Sequence, residues 1–334
     1  MNAIKNDLPK VFQYYRLSLD DADKDHYDKL LMGLIDYKRT IYLTGIESNQ
    51  ISLLFDYIRL DHPLLFYVKK LKYRYEPLLK VTIVYPQYRF DENRTNDTII
   101  AVLNIVNSIL APLTNKSEFQ REVAIHDFFC VNDVYDTSLA DSSFECVGPL
   151  LFNKGVCEGI SKAVKLLCDY SGLQCIVLRG TTVRNDLYIN SNQHTWNIIR
   201  INGAFYNLDV TFDLSLSSAF TRRYDYFNLS NNEMLRDHQY SVFNYPSCNL
   251  FNCYYQSQNL CFSSLDRIKQ HYTSLLLSNN KSFVIKIADE SHWHIQIADI
   301  LQCFDDALLA SKHYYQQYQY SFNEYQSVLQ IDLI

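Results

Sequence analysis

The stretch "HTWNIIRINGAFYNLDVTF" (His194–Phe212) constrains the chain more than any other. Asn202-Gly203 stands between two runs of alternating side chains, the pattern of a hairpin closed by a two-residue type I′ turn. A loop that short fixes the register, so Ile201 faces Ala204, Trp196 faces Asp209 and His194 faces Thr211. Strand side chains alternate between faces, so His194, Trp196, Asp209 and Thr211 share one side. His194 and Asp209 become diagonal neighbours, roughly 7 Å apart at the backbone and within reach of an imidazole–carboxylate hydrogen bond. A one-residue slip would separate them. Asn197 points to the opposite face, where a structural role is expected.

Upstream lies "NKGVCEGISKA" (Asn153–Ala163). From Cys157 the apolar residues Ile160, Ala163, Val164, Leu167 and Cys168 fall on one helical stripe. Gly172 supplies the left-handed residue that ends such a helix. Glu158, Lys162, Lys165 and Asp169 fall off the stripe and are expected to face solvent. Cys157 is therefore expected in the first turn, where unpaired amides and the helix dipole favour an anion such as a thiolate. Its own N–H is a candidate oxyanion donor. The chain has only 8 glycines, and Gly155 and Gly159 flank the cysteine, which suggests room for a substrate backbone. A cysteine near a helix start is commonly structural, and Cys168 and Cys175 read as core thiols. Catalysis needs a base and something to orient it. The hairpin offers both, in His194 and Asp209.

These segments resemble the transglutaminase-like superfamily, a branch of the papain-like cysteine peptidase fold, and most of all its bacterial members. The resemblance rests on "GVCEGISKA", "HTWNIIRINGAFYNLDVTF" and, less sharply, "IHDFFCVNDVYD" and "YFNLSNNEM", and covers about residues 119–237. "LDHPLLFYV" also looks like a segment found upstream of the core in such proteins. Ile160 and Thr195 depart from the usual pattern without removing a catalytic group. The resemblance implies an α+β fold in which a helix bearing the cysteine packs on an antiparallel sheet bearing histidine and aspartate. It implies acyl transfer at peptide or protein amide bonds by Cys157, His194 and Asp209, with water or an amine as second nucleophile and no cofactor. Asn153, Gly155 and Trp196 are candidates for the oxyanion hole or the substrate cleft, although Trp196 reads rather as packing under the hairpin. A catalytically silent binding module on the same fold is the rival reading.

The organisation expected around this core is an N-terminal accessory α/β region (1–116), the core (117–240) and a C-terminal α/β extension (241–334). Helices are read near 18–38 (opening with a Ser cap), 49–62, 96–111 (capped by Asn96 or Asp97), 117–136, 264–278 and 300–326. Strands are read at "KVTIVYPQYRF", "SFVIKIAD" and "HWHIQIAD", the last two as a pair. The flanking regions are available to a partner protein.

Composition excludes several classes. A net charge of −6 without a long Lys/Arg run argues against nucleic acid. The basic clusters "VKKLKYRYE" and "FTRRYDYF" interleave aromatic residues and read as solvated faces over packed rings. No apolar run near ~20 residues is apparent, so no membrane contact is expected. Nine cysteines, an odd number without scaffold spacing, fit free thiols in a reducing compartment. With no secretory signal visible, a cytoplasmic location is the expectation. Cys248, Cys253, Cys261, His238, His292 and His294 invite a metal site, but lack the tight cysteine pairs of zinc sites, and none is expected.

Overall fold

The computed structural model describes residues 2–186, 191–218, 221–241, 243–288, 295–312 and 316–334. Three antiparallel-based sheets follow one another along the chain, and the middle one holds the hairpin. Its five strands run in the order His238–Tyr240, Gln174–Asp186, Ser191–Ile201, Ala204–Leu208 and Phe227–Leu229, all antiparallel. The hairpin closes as its turn residues dictate: Ile201 pairs with Ala204, and Asn202 and Gly203 both take positive φ, at 49° and 88°.

The Cys157–Ser171 helix packs across this sheet, ending at Gly172 with φ 80°. Asn197, on the face away from His194, ties the two layers together. Its amide donates to the carbonyls of Ser161 (3.0 Å) and Ile176 (3.3 Å). The α+β arrangement expected from the sequence, a cysteine-bearing helix on a histidine-bearing antiparallel sheet, is thus present.

The same helix corrects one expectation. Lys162, Lys165 and Asp169 are buried and do not face solvent. Lys162 donates to Glu145 (2.7 Å) and to the Phe144 carbonyl (3.0 Å). Lys165 pairs with Asp169 (2.9 Å) and donates to the carbonyls of Phe12 and Cys175, both at 3.0 Å. The helix is enclosed on every side, and its charges survive burial because each finds a partner.

The N-terminal residues form the helices Asp21–Ile35 and Ser48–Asp61 and a three-stranded sheet, Ile41–Thr44, Val81–Tyr88 and Val68–Glu76. "VKKLKYRYE" is the outer strand of that sheet, and its basic residues are largely exposed. The N-terminal side chains share one continuous hydrophobic core with the central sheet and the Cys157 helix. The helix after the sheet begins earlier than expected, spanning Glu92–Leu110, because Asp91 caps it by accepting from the Arg94 N–H. Extended to Leu113, it is long and apolar enough to cross a membrane by length and composition. Its Thr95, Ile99, Val102 and Val106 stripe is buried.

The C-terminal residues build a second core between the helices Leu265–Leu277 and Ile297–Ala310 and a four-stranded sheet. Two expectations fail here. The strand partner of Ser282–Ile287 is Val328–Leu333, while the first three residues of "HWHIQIAD", including His292 and His294, lie outside the described residues and its last three begin the Ile297–Ala310 helix. The long helix read to residue 326 ends at Ala310, and Tyr318–Asn323 is a strand paired to Val328–Leu333. Its tyrosine-rich sequence satisfies either structure, and the pairing decides.

Candidate active site

Cys157 is the first residue of its helix, the position where the backbone favours an anion. Its neighbour Glu158 does not oppose one. Lys162 (2.7 Å), Arg179 (3.3 Å) and Arg59 (3.6 Å) surround that carboxylate. Burial would raise it, but these cations outweigh burial and bring it down to about 2.

The glycines on either side have another purpose than the one expected. A Cβ on Gly159 would lie 2.1 Å from the Ser143 carbonyl oxygen, and one on Gly155 would lie 2.6 Å from Pro149 Cγ. The space they leave is filled by the protein's own chain, not held open for a substrate. Asn153 has a structural reason of its own. It is exposed and left-handed (φ 53°), ending the short Val147–Phe152 helix.

The hairpin brings His194 and Asp209 together. His194 Nε2 lies 2.6 Å from Asp209 Oδ2, and the Cys157 thiol is near enough to help raise the same imidazole. With Nε2 committed to the carboxylate, Nδ1 is the nitrogen left for sulfur. The route differs from the expected ladder. The second strand stops at Leu208, and Asp209 caps the Val210–Leu216 helix, its Oδ1 accepting from the N–H groups of Thr211 (3.0 Å) and Phe212 (3.1 Å). Thr211 therefore does not face His194 across a strand pair. One carboxylate both caps a helix and orients an imidazole.

Burial alone would lower the His194 imidazole. The Asp209 charge and hydrogen bond, together with the thiol, more than offset it and push the ring up to about 10. Burial would likewise raise Asp209, but His194 and His238 hold its carboxyl far below the usual range. Cys157 and His194 are each 8% exposed and Asp209 is fully buried.

Trp196 is fully buried and does not wall an open cleft. Its ring stacks near His194 (centroids 6.0 Å apart) and meets His238 edge-on (5.0 Å), while its indole N–H donates to Asn207 Oδ1 at 3.3 Å. Gly180 permits this, since a Cβ there would lie 2.5 Å from the indole.

His238, weighed in the sequence only as a metal ligand, belongs to this site. Its Nε2 lies 3.1 Å from Asp209 Oδ2 and its Nδ1 2.7 Å from Asp237 Oδ1. No local signal pointed to this role. His238 arrives on an edge strand that pairs with Gly180–Thr182, a contact distant in sequence. Among the described residues, His194, Asp209 and His238 are the group of three whose ligand atoms lie within 4.8 Å of one another. Both imidazoles point their Nε2 atoms at one oxygen, so the arrangement is already complete as a hydrogen-bond network. Cys248, Cys253 and Cys261 are free thiols and form no cluster with His238.

No family model and no curated protein matches the chain. Among solved structures it is similar to a provisionally assigned cysteine protease from Cytophaga hutchinsonii, at 11% identity and TM-score 0.27, over 42% of this chain and 61% of that one. It is also similar to a TGase, at 12% identity and TM-score 0.33, over 68% of this chain and 66% of that one. The chain thus spans less than two thirds of the length of either. Neither likeness bears on the chemistry, for which the side-chain geometry has to speak.

Proposed function

We propose that the protein is a cysteine-dependent acyl-transferring enzyme acting on amide bonds, with Cys157 as nucleophile, His194 as base and acid, and Asp209 as orienter. The observation that supports this is the imidazole of His194 held between a thiol at a helix start and a buried carboxylate. Three groups from separate parts of the sequence meet in the order that nucleophilic catalysis needs.

In this reading His194 takes the thiol proton, and the thiolate attacks the carbonyl carbon of a carboxamide or peptide. The tetrahedral intermediate expels the amine, which leaves with the proton from His194, and a thioester on Cys157 remains. Water or a second amine then attacks the thioester while His194 accepts its proton, and the thiolate departs. Water gives hydrolysis or deamidation, and an amine gives a transglutaminase. Asp209 keeps the His194 ring in one tautomer and supports its positive form. The backbone N–H of Cys157, at the start of its helix, is the oxyanion donor that this reading assigns.

The near-closure of the site favours a second reading, a silent binding module on the same scaffold. One experiment separates them. Wild type and Cys157→Ala are incubated with glutamine-containing peptides, with and without a primary amine, and products are read by mass spectrometry. A Cys157-dependent cleaved, deamidated or cross-linked product supports the enzyme. No such product across a broad panel supports the module.

A further inference from the structure

The mechanism above uses Asp209 Oδ2. The same carboxylate oxygen also meets His238, whose surroundings are unusual. Its imidazole lies between two carboxylates, with Asp209 Oδ2 at Nε2 (3.1 Å) and Asp237 Oδ1 at Nδ1 (2.7 Å). Asp237 in turn accepts from the Tyr226 hydroxyl through its other oxygen. His238 and Asp237 are almost wholly buried, and Tyr226 is fully buried. The remaining neighbours of the ring are Trp196 and Phe212, which carry no charge, and His194, whose ring centroid is 5.5 Å away. The titratable groups facing His238 are therefore Asp209, Asp237, Tyr226 and His194.

The hydrogen-bond inventory is restrictive. Carboxylates only accept, and a neutral imidazole has one N–H. Two carboxylates at the two ring nitrogens require two N–H donors, which the ring offers only as an imidazolium. Asp209 Oδ2 then receives a donor from each of two imidazoles, while Oδ1 receives two backbone N–H groups. A second positive ring close to His194 also disfavours charge on His194. A base that must return its proton to a leaving amine gains from that restraint.

We infer that His238, held by Asp237 and Tyr226, is a positioning residue for this site: it fixes Asp209 and divides its charge between two imidazoles. The inference rests on the proposed acyl-transfer reading. It assigns to the chain Tyr226–Asp237–His238 the task of keeping His194 from becoming too strong a base to release its proton.

The test follows the His194 ring in full-length protein labelled with ¹³C-histidine. Its NMR signal is assigned by its loss in His194→Gln, and its titration is compared between wild type, His238→Gln and Asp237→Asn. Glutamine can still donate to Asp209 but carries no charge, so the His194 midpoint should rise by about one pH unit or more. Asp237→Asn replaces the carboxylate with an amide whose oxygen can still accept from Tyr226 while its N–H₂ donates to His238 Nδ1, so His238 no longer needs two N–H groups and the midpoint should move the same way. Should His238→Gln fail to fold, Asp237→Asn carries the test. A midpoint that is unmoved or lowered in the folded variants overturns the inference, because a merely structural histidine would change stability and leave His194 alone. The parent reading has a separate readout. Cys157 in the wild type should be alkylated by iodoacetamide at pH 6 faster than any other cysteine, and failure there sinks the acyl-transfer reading and this inference with it.

Discussion

The Lys162 ammonium donates to Glu145 at 2.7 Å in the interior of the protein, five residues along the helix from Cys157. Glu145 also accepts from Arg59 at 2.7 Å, and Arg89 lies 3.5 Å away. Removing one member of a buried ion pair strands the other, at a typical cost of about 3–5 kcal/mol. The two arginines keep Glu145 partly answered, so Lys162→Met is expected at the low end, about 3 kcal/mol, read as a lower urea midpoint. Adding Glu145→Gln to that variant should recover part of the loss.

Asp209 has two duties that substitution can separate. Asp209→Asn keeps an oxygen for the Thr211 and Phe212 amides but offers His194 an altered partner. Cys157-dependent turnover should fall by a factor on the order of 10²–10⁴, while the helix cap is kept. Asp209→Ala loses the cap as well, for a further ~1 kcal/mol of stability. Equal turnover in Asp209→Asn and wild type would remove the carboxylate from the mechanism.

Glu122 makes stability depend on pH in a predictable direction. It is buried with one oxygen unpaired, and burial pushes its carboxyl up to about 8 despite the hydrogen bond from Asn228 and the nearby His126. The folded state therefore prefers the protonated form. Stability from this group is intact below the unfolded value near 4.5 and is lost as pH rises towards and through 8. Glu122→Gln should abolish that loss and leave the variant more stable than wild type at pH 9 by roughly 3–5 kcal/mol. Chemical denaturation at pH 6 and pH 9 checks both the sign and the size.

Gly159→Ala should be among the most damaging single-methyl changes available. The added carbon would meet the Ser143 carbonyl at 2.1 Å, a contact with backbone that cannot swing away. A loss of about 3 kcal/mol or more is expected, at the upper end of overpacking costs. A thermal melt within a degree or two of wild type would show that the Ser143 loop yields.

Much of the centre of this fold could be read from the sequence, because its signals are local. Asn202-Gly203 fixed a register that the structure reproduces from Ile201–Ala204 to Asn197–Leu208. Gly172 ended the Cys157 helix where its left-handed preference required. What could not be read depends on distant partners. Lys162 and Lys165 looked like solvent-facing residues, since nothing near them in sequence shows that Glu145 and Phe12 complete their hydrogen bonds. His238 looked like a stray ligand because its neighbours across the sheet, Thr182 and then Asp209, are brought in only by folding. The helix expected through residue 326 failed for the same reason. Tyr318–Asn323 is a strand because Val328–Leu333 lies beside it.

Phe12 closes the far end of the Cys157 helix, its N–H donating to Asp169 (3.2 Å) and its carbonyl accepting from Lys165 (3.0 Å). A few residues on, the Tyr15 hydroxyl donates to the Val177 carbonyl (2.7 Å) in the central sheet. The opening of the chain thus supplies hydrogen-bond partners to the Cys157 helix and to the sheet it packs on. A fragment beginning near Ser117 would carry Cys157, His194 and Asp209 in full, and yet lay bare an ammonium, a carboxylate and the apolar back of the helix they sit on. The first hundred residues behave as a keystone, and lineages that shortened them would have to rebuild the rear of that helix at the same time.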